Sequence, residues 1–252
     1  MTLVLVISRY GTAYHEEADT RLILHANHAA HTDEYDHVII SSPDTDVAIL
    51  AISHAHIIDQ TKLLFSTGVG NKRRILEITT LANSLGEKLG NALTGFHAFT
   101  GCDSISSFAG KGQLSCYKTL NTQDNFLTTF SALGSEFVVT NQLLDQIQVF
   151  VCALYGSKET DVNAARYSTF CTTAPLEKSL PPNKDALNQH LRRANYQAGI
   201  WRQCLASMMT LPPPQDHGWL KEDGSLIVEW LTGSAAPPDV MKLKNCGCKT
   251  GC

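Results

Sequence analysis

His37-Val38-Ile39-Ile40-Ser41-Ser42-Pro43-Asp44-Thr45-Asp46 is the stretch that decides the fold. A short apolar run stopped by a proline is the pattern of a buried parallel strand, whose two covered faces erase the polar alternation of a solvated one. Val47 to His54 then reads as a helix. Upstream, Tyr14 to Ala30 places Ala18, Leu22, Ala26 and Ala29 on one helical face, and Met1 to Ile7 reads as a strand without a carboxylate. Downstream, Lys62 to Ser66 is a second candidate strand and Ile75 to Leu89 an amphipathic helix. Strands alternating with helices predict an α/β fold built on a parallel sheet. Functional residues of such sheets gather at the carboxyl ends of strands, where Asp44 and Asp46 fall.

The later chain reads as mainly helical. Ser104 to Leu120 predicts a short helix, a Gly110-Lys111-Gly112 turn and another helix, and Leu143 to Tyr155 and Asp185 to Cys204 predict two more. Pro212-Pro213-Pro214 is a stiff break, because successive prolines fix φ and remove donors. His217 to Leu231 then predicts a small hairpin turning at Asp223-Gly224. The resulting organisation is an α/β core over residues 1–122, a helical extension over 123–211, a hairpin over 212–234, and a linker with a cysteine motif over 235–252.

A chain of 252 residues that is 43% hydrophobic and 17% charged can bury one substantial core. No apolar run approaches the ~18 residues of a membrane span, and Met1 to Ser8 is too short, and lacks the basic flank, for a signal peptide. The expectation is an intracellular chain with no membrane partner. A net charge of −4 gives no global nucleic-acid signature. Local charge is uneven: residues 1–60 hold nine Asp or Glu against two Arg, and residues 61–120 hold seven Lys or Arg against three acids. An acidic part followed by a basic part suits a metal site beside a phosphate-backbone track. Lys72-Arg73-Arg74, expected at a helix start where cations are disfavoured, fits a phosphate partner or a solvated loop. Arg192, Arg193, Tyr196, Trp201 and Arg202 read as a half-buried amphipathic helix, and His25, His28 and His31 as a solvated face more than a zinc face. Cys102, Cys116, Cys152, Cys171 and Cys204 are scattered and read as reduced core residues, while Cys246, Cys248 and Cys252 are clustered.

Three acidic groups carry chemistry: Glu17-Ala18-Asp19 at a helix start, Asp44-Thr45-Asp46 after a strand, and Asp103 behind Gly101-Cys102. Hard cations take carboxylate oxygens and keep several waters, so a few convergent carboxylates plus substrate phosphates complete a site. Residues two apart in a regular helix point roughly 200° from one another, so Glu17 and Asp19 cannot both be direct ligands from helical positions. Each group has a plainer reading. Acids favour a helix N-terminus through its dipole, and Asp44-Thr45-Asp46 after a strand equally suits a helix cap or the aspartate motif of a phosphatase or glycosyltransferase.

These elements resemble the internal nuclease region of the flap-endonuclease group, within the wider PIN-like, Rossmann-like nuclease fold. That region has a Glu-Ala-acid triplet at a helix start, a strand ending in Asp-x-Asp, and a Gly-x-Asp leading into a helical hairpin. They are matched here by Glu17-Ala18-Asp19, by Asp44-Thr45-Asp46 and by Gly101-Cys102-Asp103, with Phe108-Ala109-Gly110-Lys111-Gly112 as the hairpin turn. The resemblance covers about 110 residues. It implies that Glu17, Asp19, Asp44, Asp46 and Asp103 bind Mg²⁺ or Mn²⁺, with Asp44 and Asp46 catalytic, and that Gly110, Lys111 and Gly112 contact a nucleic-acid backbone, DNA before RNA. Two further family aspartates have no counterpart before Glu16, so the expected site is incomplete at its front. Cys246-Gly247-Cys248-Lys249-Thr250-Gly251-Cys252 looks like the opening of a tesmin-type CXC zinc module, which implies Zn²⁺ and a nuclear setting. His15 to Ala26, Ser41 to Leu50 and Gly101 to Gly112 look like stretches of transposon-associated animal proteins, which implies a mobile-element origin and no mechanism. The alternative function is a non-catalytic nucleic-acid-binding or assembly protein that keeps the fold and has lost turnover, which the missing aspartates favour.

Overall fold

The computed structural model describes residues 2–5, 15–31, 35–58, 62–173 and 179–233, the first four as backbone alone. β1 (Thr2–Leu5), α1 (Ala18–Ala30), β2 (His37–Ser41), α2 (Thr45–His54) and β3 (Lys62–Thr67) form two successive β-α-β units. Their strands are parallel, with Thr2 opposite His37 and Val38 opposite Leu63. The expected parallel arrangement is therefore present, but β2 is not covered on both faces. Val38 and Ile40 are fully buried, whereas His37, Ile39 and Ser41 are half-buried. The apolar run had hidden an ordinary two-faced alternation, because Ile39 stays apolar on the less covered side.

After β3 the structure departs from expectation. Gly68 (φ 81°) and Gly70 (φ 56°) reverse the chain through a 3-10 turn at Gly70–Lys72, and β4 (Arg74–Glu77) returns antiparallel to β3. A Cβ at Gly68 would collide with the Lys72 carbonyl, so only glycine fits there. Lys72, Arg73 and Arg74 thus enter a strand and do not open a helix. Pairing with the exposed edge of β3 satisfies the backbone of Arg74–Glu77, which outweighs the weak helical periodicity read there. The helix begins later, as α3 (Ile78–Thr100), and it is interrupted at Gly86, whose φ of 76° and ψ of 164° belong to a region only glycine occupies.

This topology aims α3 at the site. β4 runs against the parallel strands, so α3 starts at their amino ends, where Thr79 Oγ1 accepts from the Leu63 amide and Glu77 pairs with Lys62 at 3.0 Å. α3 then travels back across the molecule and delivers residues 97–103 to the carboxyl edge of the sheet. The helix expected from Ser104 is absent: residues 101–112 form turns and extended backbone up to α4 (Gln113–Leu120). The Ser104 hydroxyl donates to Gln197 and that of Ser106 to His190, while Phe108 packs on Phe99 and His190. These tertiary partners replace helical hydrogen bonds in a segment of poor helix formers.

α5 (Asp124–Ala132), α6 (Asn141–Leu154), α7 (Val162–Thr173) and α8 (Lys184–Arg202) complete the helical part. Phe99, Phe126 and Phe130 surround Phe150 with ring centroids 4.8–6.3 Å apart, in a buried cluster continuous with α1, α2 and the sheet. β5 (Trp219–Glu222) and β6 (Ser225–Val228) form the expected hairpin. Its turn residues, Asp223 (φ 47°) and Gly224 (φ 82°), both take the positive φ that two-residue hairpins favour. Arg193 Nη1 donates to the Gly218 and Glu229 carbonyls at 3.1 and 2.9 Å, tying the hairpin to α8. Among the described residues no helix is long and apolar enough to cross a membrane.

Candidate metal centre

Every acidic group singled out in the sequence lies where a loop or helix N-terminus meets the carboxyl edge of the sheet. Ser42 N donates to Ser66 O at 3.1 Å, extending the β2–β3 pairing by one residue before Pro43 turns the chain. Asp44 is extended (φ −82°, ψ 131°) and caps α2, its Oδ1 accepting from Asp46 N at 2.9 Å. The plainer reading of Asp44 is thus realised in geometry, although a cap occupies one carboxylate oxygen and leaves the other. Asp46, in the first turn of α2, faces inward and is half-buried.

At α1 the helix starts at Ala18, later than expected, so Glu17 is the N-cap with extended backbone (φ −76°, ψ 133°). The 200° divergence expected of Glu17 and Asp19 does not apply, because only Asp19 is helical. Glu17 Oε1 accepts from Gln197 Nε2 at 2.8 Å, and Gln197 Oε1 accepts from Ser104 at 3.3 Å. Glu17 Oε2 is buried and has no hydrogen-bond partner. The cap is anchored from behind by His15, buried, with Nε2 2.6 Å from the Ala206 carbonyl and Nδ1 3.0 Å from Thr20 Oγ1.

The electrostatic consequence falls on Asp19. Burial first, then the charges of Asp44, Asp46, Glu17 and Asp103, push its carboxyl up from 3.8 to about 6. Carboxylates from three separate stretches of sequence therefore feel one another at a single edge. At the tightest point, a carboxylate oxygen of Asp46, one of Asp103 and Cys102 Sγ all lie within 4.8 Å of one another, the one such group of three or more metal-capable side chains among the described residues. His25, His28 and His31 form no such group; His31 Nδ1 donates to Asn27 O at 2.7 Å and His28 is exposed.

Sequence reasoning passed over His97, Gln113 and Gln197, and read Cys102 only as a core thiol. His97 sits in the last turn of α3, 2% exposed, with Nε2 2.7 Å from Asp46 Oδ1 and Nδ1 2.8 Å from Gln113 Nε2. Its ring stacks on Trp201 at 5.7 Å and 20°. The available signal was a lone histidine inside the apolar run Thr94 to Thr100. These contacts disfavour a thiol-based nucleophile: both His97 nitrogens are engaged elsewhere, the Cys102 sulfur lies 2.9 Å from Ser104 Oγ, and burial pushes its thiol pKa up.

The glycine turn lies beside this centre. Gly110 has φ 69°, Gly112 caps α4, and Lys111 Nζ stands 5.0 Å from the centroid of the Tyr155 ring. Thr67, Gly68 and Asn71 to Arg74 line an open surface pocket at the carboxyl end of β3, where Arg73 Nε donates to Ser66 Oγ at 3.0 Å. That edge is the one from which Asp44 and Asp46 emerge, so the basic stretch and the acidic one share it. Cys246, Cys248 and Cys252, like the whole of 235–252, lie outside the described residues.

Carboxylate oxygens are the donor type a hard divalent cation takes, Cys102 Sγ is the one soft donor in the group with Asp46 and Asp103, and Glu17 Oε2 is buried without a hydrogen-bond donor. No family model, curated protein or solved structure matches the chain.

Proposed function

We propose that the carboxyl edge of the sheet is a Mg²⁺- or Mn²⁺-binding centre of a PIN-like, flap-endonuclease-like domain that acts on nucleic-acid phosphodiesters, DNA before RNA. One observation carries the reading: carboxylate oxygens of Asp46 and Asp103, from stretches remote in sequence, lie within 4.8 Å of each other and of Cys102 Sγ, and beside them burial first, then four acidic neighbours, push Asp19 up to about 6. Like charges gathered this way raise the free energy of the empty fold, and a divalent cation removes that repulsion. Asp46 and Asp103 would hold the ion, with Asp19, Asp44 and Glu17 around them. The metal supplies Lewis-acid polarisation of the phosphodiester and a water of lowered pKa. The chain's own residues do the rest. Lys72, Arg73 and Arg74 offer cations to backbone phosphates at the same edge, and Gly110 to Gly112 present backbone beside Lys111. Mobile-element origin and a nuclear setting belong to this proposal through the resemblance alone.

A second reading, nucleic-acid binding without turnover, is favoured by β1. Thr2-Leu3-Val4-Leu5, an edge strand of the sheet, carries no carboxylate. The test is Mg²⁺ and Mn²⁺ calorimetry on the 252-residue chain and on Asp44→Asn/Asp46→Asn, followed by incubation with flap and hairpin DNA. Binding lost in the variant, with cleavage by the parent, is the expected result. Binding without cleavage selects the second reading, and equal metal binding by both chains overturns the metal centre.

A further inference from the structure

We infer that His97, backed by Gln113, is a positioning residue that fixes Asp46 for the metal and ties it to the Gly110–Gly112 turn. The inference rests on the metal-centre reading and adds to it a device no acidic motif encodes. Gln113 Nε2 can only donate, so at 2.8 Å it makes His97 Nδ1 an acceptor and leaves the proton on Nε2. Nε2–H then donates to Asp46 Oδ1 at 2.7 Å. A carboxylate held at one oxygen cannot swing freely about its terminal bond, and the orientation of the other oxygen is fixed with it.

Three features hold the imidazole itself. It is 2% exposed at the end of α3, it stacks on the buried Trp201, and it has no free nitrogen. Gly101 makes the arrangement possible, because a Cβ there would collide with Gln113 Nε2 and the His97 ring. Gln113 is the first residue of α4, directly after Gly112. A displacement of the glycine turn by a bound phosphate backbone is thereby passed through two hydrogen bonds to a metal carboxylate. Cys102 N bonds to the His97 carbonyl at 3.2 Å, so the same residue also fixes the backbone that presents Cys102 and Asp103.

The experiment measures Mn²⁺ affinity by calorimetry and metal-free Tm for the full chain, its Asp46→Asn control, and three variants. His97→Phe keeps a ring against Trp201 and removes the donor; its Mn²⁺ affinity is expected to fall about 10- to 100-fold. His97→Gln can return an amide donor to Asp46 and is expected to stay within about threefold of the parent, whatever its Tm. Gln113 is exposed, so Gln113→Met leaves the core intact, and a several-fold loss of affinity at unchanged Tm is expected. If His97→Phe does not fold, the Gln113→Met and His97→Gln pair decides. Parent-like Mn²⁺ affinity in His97→Phe and Gln113→Met, with binding abolished in Asp46→Asn, overturns the positioning role alone. Absence of Mn²⁺ binding in the parent overturns the metal reading and the positioning role together.

Discussion

α8 takes polar groups fully out of water, the carboxyl edge of the sheet takes Glu17, Asp19 and Asp46 only partly out and leaves Asp44 and Asp103 exposed, and the two treat those groups in opposite ways. On α8, Asn195 is fully buried and each side-chain polar atom is matched: Oδ1 accepts from Gly134 N at 2.8 Å, and Nδ2 donates to the Glu136 and Phe137 carbonyls at 2.7 and 3.0 Å. Arg193, 1% exposed, donates to two carbonyls and stands over Trp230. Arg202 donates to Leu133 O at 2.6 Å and Ser131 O at 2.8 Å. Gln189 and the Trp201 indole are exceptions on that helix, and neither is charged. At the sheet edge the partners of a carboxylate include other carboxylates, and Glu17 Oε2 has none. Matched polar burial is architecture. Mismatched burial is a local conflict that folding alone would remove, which is why it marks a site.

The largest effect expected from this contrast is at Asn195. Asn195→Ala strands one buried amide and two carbonyls, and the loss is expected to be about 3 kcal/mol in urea unfolding. Mn²⁺ affinity per folded molecule should not change. A loss below about 1 kcal/mol would mean that the matched network contributes little, and the contrast would break.

Next in size is the acid response of His190. It is buried on α8, with Nε2 donating to Phe99 O at 2.9 Å and Nδ1 accepting from Ser106 at 2.7 Å, and burial pushes its pKa down from 6.5 to about 4. A depressed histidine favours the neutral form in the fold. Its contribution is therefore present above the unfolded value of 6.5 and is lost as pH falls through about 4. Between pH 7 and pH 5 the loss is about 2 kcal/mol. His190→Gln should flatten that part of the stability-pH curve, and an unchanged slope would assign it to other groups.

Asp19 acts with the opposite sign. Its raised carboxyl stabilises the fold below 3.8, and that contribution disappears as pH rises through about 6. Metal-free Asp19→Asn is thus expected to melt about 2 to 4 °C above the parent at pH 7.5, with the gain shrinking towards pH 4. On the metal proposal, Mn²⁺ reverses the order at pH 7.5, because protons and metal compete for the same oxygens. An Asp19→Asn chain that is less stable than the parent without metal would show that the acidic edge is not in conflict after all.

The parts legible in the sequence are those where local pattern and tertiary demand agree. β2 and α2 announced themselves because an apolar run, a proline and a capping aspartate all fall within ten residues, His37 to Asp46. The β5–β6 turn was legible for the same reason: Asp223-Gly224 is chemistry that one backbone conformation requires. β4 was not. Ile75 and Leu76 remain exposed at 57% and 39%, so no burial pattern set their period, and only pairing with β3 makes them a strand. α7 went unread because it buries little besides Val162 and Ala165, and α5 because it is only nine residues long, although its Phe126 and Phe130 are fully buried. At the site, the carboxylates were visible as short motifs, while His97, Gln113 and Gln197 were not, since each gains meaning only from a partner 16 to 180 residues away.

Asp44 gives the smallest effect and the sharpest test, because it belongs to both sides of the comparison. As the α2 cap it is matched polar architecture, with Asp46 N donating to Oδ1 at 2.9 Å. As one of the charges that raise Asp19 it is part of the conflict. Serine separates the two roles, since its hydroxyl caps a helix about as well as a carboxylate while carrying no charge. Asp44→Ala should lose about 1 kcal/mol, and Asp44→Ser only a few tenths. If the cap is all that Asp44 provides, Asp44→Ser also binds Mn²⁺ like the parent. The metal proposal expects the reverse pairing, stability kept and affinity lowered. In that case Asp44 caps with one oxygen and serves the centre with the other, and the helix start that positions Asp46 is itself part of the site.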